Sequence, residues 1–113
     1  MSAITTHVLD TARGQPAAGV PVVLEYNSTG GWTEIGSGQT DEDGRLRTLL
    51  APDFALAEGA YRLHFDTSRY FSSQQSESFY PMVTVAFIVA DAAQHYHVPL
   101  LLSPYGYSTY RGS

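Results

Sequence analysis

Two histidines stand two residues apart in "QHYHVPLLLS", at His95 and His97. On an extended strand that spacing sends both imidazoles to the same face, about 7 Å apart. Histidine titrates near neutral pH, so the pair could supply a general base for attack by water. It could also be part of a zinc site with His7 as a further ligand, since three-His centres need convergent imidazoles. A solvated strand face is the plain alternative, because the pair alone fixes no metal geometry. No resident metal or other cofactor is expected.

His7, between Thr6 and Val8, reads by itself as a structural or exposed strand histidine. Arg45 directly follows "DEDG" (41–44) and either lies solvated on a sheet edge or aims inward. "DEDGR" resembles the opening of a calcium loop, but position six is Leu46 instead of glycine and position twelve is Pro52 instead of glutamate. Asp43-Gly44 is more simply the tight turn of a hairpin. His64 alternates with Arg62 and Asp66 on an outward face and is given no role. The chain closes on "YRGS". A frayed strand end is the plain reading, yet Tyr105, Tyr107 and Tyr110 need burial or partners. An ordered tail is therefore expected, with Arg111, the Ser113 hydroxyl and the terminal carboxylate close together.

Composition narrows the classes. The 113 residues fit one domain, 1–113, and the 43% apolar fraction fits a globular fold. Formal charge is −5 and the six basic residues, all arginines, form no run, so no nucleic-acid partner is expected. With no lysine, Schiff-base chemistry is excluded, and an anion must meet guanidinium or backbone amide. With no cysteine, disulfides, thiolate nucleophiles and Cys-type zinc sites are excluded together. No stretch approaches the roughly 20 apolar residues of a membrane span, and "MSAITTHVLD" lacks a signal-peptide pattern. A soluble, cytoplasmic protein without a membrane partner is expected.

Period-two alternation predicts the elements that must position these side chains. Strands are expected at 4–10, 20–27, 32–40, 45–50, 61–68, 82–90 and 95–103, with "YSTYRGS" after the turn "PYG". Val20, Val22, Leu24 and Tyr26 share one face, as do Tyr61, Leu63 and Phe65. "PDFALAE" (52–58) is the one expected helix, with Pro52 at its start and Gly59 past its end. Seven or eight short strands predict an all-β, antiparallel two-sheet sandwich. Its interior fills with side chains, so a site is expected on a sheet face or between subunits.

"HYHVPLLLSPYGYSTYRGS" closely resembles the C-terminal signature of the 5-hydroxyisourate hydrolases, transthyretin-related enzymes of urate breakdown. "THVLD", "GVPVVLE", "TDEDGR", "GAYRLHFDTSRYF" and "FYPMVTVAF" follow that family's order and spacing. The resemblance implies a transthyretin-like sandwich assembled as a homotetramer, a dimer of dimers with sites where dimers meet. It implies functional roles for His7, Arg45, His97 and Ser113, with Tyr110 and Arg111 positioning the tail, held against a partner subunit. The implied reaction is hydrolysis of 5-hydroxyisourate to 2-oxo-4-hydroxy-4-carboxy-5-ureidoimidazoline. His7 is assigned as the base and His97 orients water and substrate, with the reverse assignment open; Arg45 takes the oxyanion. A non-enzymatic small-ligand carrier on the same scaffold is the alternative, and a structural sandwich domain the third reading.

Overall fold

Alternating side chains do form the strands in the computed structural model, which describes residues 2–113. In chain order these are β1 (Ile4–Asp10), β2 (Gln15–Pro16), β3 (Pro21–Ser28), β4 (Gly31–Gln39) and β5 (Arg45–Leu46). Then come β6 (Gly59–Phe65), the helix α1 (Thr67–Ser73), β7 (Val83–Val89), β8 (Tyr96–Ser103) and β9 (Gly106–Thr109). One sheet has the order β4-β3-β6-β7 and the other β2-β1-β8-β9, with β5 sharing the free edge of β1. Seven strands have four residues or more, as the alternation predicts, and the two-residue β2 and β5 only trim the edge of β1.

The sheets bury their facing rows against each other. Ile4, Val8, Leu100 and Leu102 from one meet Val22, Leu24, Leu63, Phe65 and Val83 from the other, all 2% exposed or less. Each such side chain contributes about 1.5–3 kcal/mol on burial. The opposite row of the first sheet, Thr5, His7, His97 and Pro99, points away from this core, and His7 and His97 in it stay partly exposed.

Four expectations are corrected. One pairing is parallel: β1 runs alongside β8 with Thr5 opposite His97 and His7 opposite Pro99. The chain between them builds the whole other sheet, so no hairpin forces them antiparallel. The 41–44 turn is likewise no hairpin, because β4 pairs with β3 whereas β5 pairs with β1. It carries the chain from one sheet to the other, and the strand expected over 45–50 ends at Leu46 as Leu49 and Leu50 turn into the core.

The helix lies elsewhere than expected. Residues 52–58 have good helix formers but no buried stripe, only Leu56 being partly covered, and two turns do not persist in water without one. Instead "TSRYFSS" forms α1, capped by the Asp66 carboxylate, which accepts from the Arg69 amide at 3.1 Å. Tyr70 and Phe71 are buried, and the Tyr70 hydroxyl donates to Asp10 at 2.7 Å, fastening α1 to the end of β1.

Candidate active site

Arg45 reaches its place through the turn before it. The Asp41 carboxylate accepts from the amides of Asp43 (2.9 Å) and Arg45 (3.0 Å), and Gly44 takes φ +75°. A Cβ at Gly44 would stand 2.4 Å from the Val8 carbonyl oxygen, so only glycine lets this turn press onto β1. The Gly44 carbonyl accepts from the Val8 amide at 2.8 Å, and the register then sets Arg45 directly opposite His7. Arg47 follows on the same side.

His97 is fixed from β8. Its Nδ1 lies 2.8 Å from the Thr5 hydroxyl, and Nε2 of His95 lies 2.9 Å from the same oxygen. One buried threonine thus joins the two histidines of "HYH". Among the described residues, Nε2 of His97 has no hydrogen-bond partner.

The tail crosses beside them. The Gly112 amide donates to the His97 carbonyl at 2.8 Å, forming a bridge beyond the end of β9. A Cβ on Gly112 would sit 2.6 Å from Cδ2 of His97, which explains the glycine of "YRGS". The Arg111 guanidinium stacks 4.4 Å from the Tyr96 ring and donates to the Gln94 side chain at 2.8 Å. Within the chain these contacts order the tail, as expected, although Tyr105, Tyr107 and Tyr110 are exposed in the single chain rather than buried.

These parts enclose a cavity of about 200 Å³ lined by Thr5, Thr6, Arg45, Arg47, His95, His97 and Ser113. Arg45, His97 and Ser113 are therefore together, while Tyr110 and Arg111 line an adjoining recess that shares His95 and Ser113. His7 stands outside the wall, opposite Arg45. Thr5, Thr6 and Arg47 were not singled out from sequence; Arg47 carried a signal, two residues beyond Arg45. Among the described residues no three His, Asp or Glu side chains gather as metal ligands, so His7, His95 and His97 do not form the three-His arrangement.

His97 and His7 both favour the neutral form. Burial, then the Arg45 guanidinium, holds His97 below its ordinary 6.5, with His7 and His95 adding to the effect. The same two causes lower His7, opposed in part by its hydrogen bond to the Asp43 carbonyl and by the charges of Asp41 and Asp43. Unprotonated imidazoles beside two guanidiniums can accept a proton while the guanidiniums hold negative charge.

The family model described as HIUase/Transthyretin matches residues 4–112. The chain belongs to this family. Over 110 residues it is 50% identical to the 5-hydroxyisourate hydrolase of Salmonella typhi, covering 97% of this chain and 80% of that one. The mouse 5-hydroxyisourate hydrolase is 47% identical over 114 residues, covering 99% and 96%. Among solved structures, sea bream transthyretin in complex with thyroxine superimposes with TM-score 0.90 at 32% identity, covering 98% and 95%. Klebsiella pneumoniae 5-hydroxyisourate hydrolase gives 0.84 at 34% identity, covering 97% and 92%. The HIUase/Transthyretin family read from the tail and the internal motifs is thus the family of the whole chain.

Proposed function

We infer that the protein hydrolyses 5-hydroxyisourate, opening its six-membered ring at an acyl carbon–nitrogen bond on the way from urate to 2-oxo-4-hydroxy-4-carboxy-5-ureidoimidazoline. One observation carries the reading: in a chain about half identical to hydrolases of this name, His97, Arg45 and Ser113 line one cavity. The substrate is planar, rich in carbonyls and partly anionic. A wall with two arginines and no carboxylate side chain, in a protein of net charge −5, suits such a molecule.

The geometry supports His97 as the base, the reverse of the first assignment, because His97 lines the cavity and His7 does not. Water gives a proton to Nε2 of His97 as its oxygen adds to the acyl carbon. The Arg45 fork holds the oxyanion, and Arg47 neutralises the rest of the anion. Collapse breaks the carbon–nitrogen bond, and the imidazolium returns its proton to the leaving ring nitrogen. His7, neutral and paired in register with Arg45, keeps the guanidinium in place; Ser113 contacts substrate from the tail that Tyr110 and Arg111 position. A positioned base contributes roughly 10²–10⁴-fold and an oxyanion donor about 10²–10³-fold.

A cavity of about 200 Å³ is smaller than most ligand sites, at roughly 300–1,000 Å³. This supports assembly as a homotetramer, a dimer of dimers whose facing copies complete each other's sites. The reading takes residues 1–113 as one functional domain acting in the cytoplasm. A non-enzymatic carrier would need a wall of apolar residues, and the residues lining this one are threonines, arginines, histidines and a serine. The test is to generate 5-hydroxyisourate in situ and follow its ultraviolet decay. Added protein accelerates the decay; a carrier binds the compound and leaves the decay unchanged, which would overturn the reading.

A further inference from the structure

The Thr5 side chain poses a question of protons. Its oxygen lies 2.8 Å from Nδ1 of His97 and 2.9 Å from Nε2 of His95, yet a hydroxyl has one hydrogen to donate. When both rings are neutral, Thr5 donates to one and accepts an N–H from the other. The two tautomers are therefore coupled. If Thr5 donates to His97, the remaining ring proton of His97 sits on Nε2, and that nitrogen cannot act as a base. If Thr5 donates to His95, His97 carries its proton on Nδ1 and leaves Nε2 with a free lone pair.

We propose that Thr5 is a positioning residue that sets the tautomer of His97, with His95 as the acceptor that fixes the direction of the Thr5 hydroxyl. The chain of donors runs from Nδ1–H of His97 to Thr5 Oγ1, and from the Thr5 hydroxyl to Nε2 of His95. This inference rests on the hydrolytic reading for its purpose but not for its geometry.

Several features hold the arrangement. Thr5 is 4% exposed, and the parallel register of β1 with β8 places it directly opposite His97. The ring of His97 is closed in on its other side by the Gly112 backbone, within 2.6 Å of a Cβ position there. The tail thus packs closely against the side of the ring away from Thr5. The groups around it also disfavour a charged ring, which would have to donate from both nitrogens. Arg45 lines the cavity from β5 and Arg47 from the irregular segment that follows it, His7 stands on β1 and His95 precedes β8, and burial with Arg45, His7 and His95 all act against a charged His97. With His97 neutral, the direction of the Thr5 hydroxyl decides which of its nitrogens is basic.

The test uses the full-length protein with 15N-labelled histidine, Thr5→Val to remove the hydroxyl at nearly constant shape, and Thr5→Ser to restore it. Nitrogen NMR at pH 8 reads the tautomers whether or not the protein is active. His97 is expected as the Nδ1–H form with unprotonated Nε2, and His95 as its complement. Thr5→Val turns His97 into a mixture and lowers kcat by at least about tenfold with KM little changed, and Thr5→Ser restores both. His97 observed as the Nε2–H form in the wild type would overturn the proposal. So would a Thr5→Val variant with wild-type tautomers and kcat, or a Thr5→Ser variant as impaired as Thr5→Val. A wild-type protein without activity would instead defeat the hydrolytic reading, and the tautomer pattern would still decide the role of Thr5.

Discussion

Gly112→Ala adds one methyl group at a place where the structure has no room for it. The new carbon would stand 2.6 Å from Cδ2 and 3.3 Å from Cγ of His97, and 3.2 Å from Cγ of Pro99. Pro99 is buried in β8 and cannot move aside. The imidazole can yield only by turning off its rotamer, which costs about 0.5–1.5 kcal/mol, and by loosening its bond to Thr5, about 0.5–1.5 kcal/mol more. Otherwise the tail lifts and loses the bond from the Gly112 amide to the His97 carbonyl, a similar amount. The first route costs about 1–3 kcal/mol at the site and the second about 0.5–1.5 kcal/mol, and either disturbs His97, Ser113 or both. In a domain of this length such a loss lowers the melting temperature by roughly 2–15 °C, while the core on the other face of the sheet keeps unfolding cooperative. Steady-state decay of 5-hydroxyisourate should show kcat/KM reduced by about tenfold or more, alongside a folded protein that still unfolds in one cooperative thermal transition. A Gly112→Ala protein with wild-type kcat/KM would refute the close packing of tail on imidazole.

The lowered pKa values of His97 and His7 make kcat/KM level above pH 6.5 and falling only at lower pH, as protons reach the imidazoles. A profile already falling at pH 7 would contradict this. The unfolded chain takes up those protons near pH 6.5 and the folded one resists them, so stability also declines as pH drops below 6.5. Burial, the larger cause, remains in Arg45→Gln, but loss of the guanidinium should move both histidine titrations upward toward 6.5 by NMR, together with a rate loss of about a hundredfold. Gly44→Ala puts a carbon 2.4 Å from the Val8 carbonyl oxygen at φ +75°, and should cost about 1–3 kcal/mol in chemical denaturation and lower activity through Arg45. Truncation after Thr109 removes the tail that reaches the cavity; the fold should persist by circular dichroism while turnover drops at least about tenfold.

Much of the strand framework was legible, because burial on one face imposes period two on β1, β3, β6 and β8. The helix was not, for two opposed reasons. "PDFALAE" has propensity without a face to bury, whereas "TSRYFSS" has poor propensity but a capping Asp66 and two aromatic side chains that find the core. Residue types picked out His97, Arg45 and Ser113, and the family resemblance drew them together with His7. Thr5 carried no such signal. A strand threonine is ordinary, and its position between two imidazoles follows from the parallel pairing of β1 and β8, which no local pattern encodes. The pairing of His7 with Arg45 was hidden for the same reason, since the turn that creates it reads like a hairpin and acts as a crossover.

The account stands on an unprotonated imidazole and a guanidinium working on one substrate in one cavity, and His97→Asn tests that most directly. It predicts that kcat/KM for 5-hydroxyisourate falls at least about a hundredfold, with circular dichroism and oligomeric mass unchanged. Decay as fast as with the wild-type protein would contradict it.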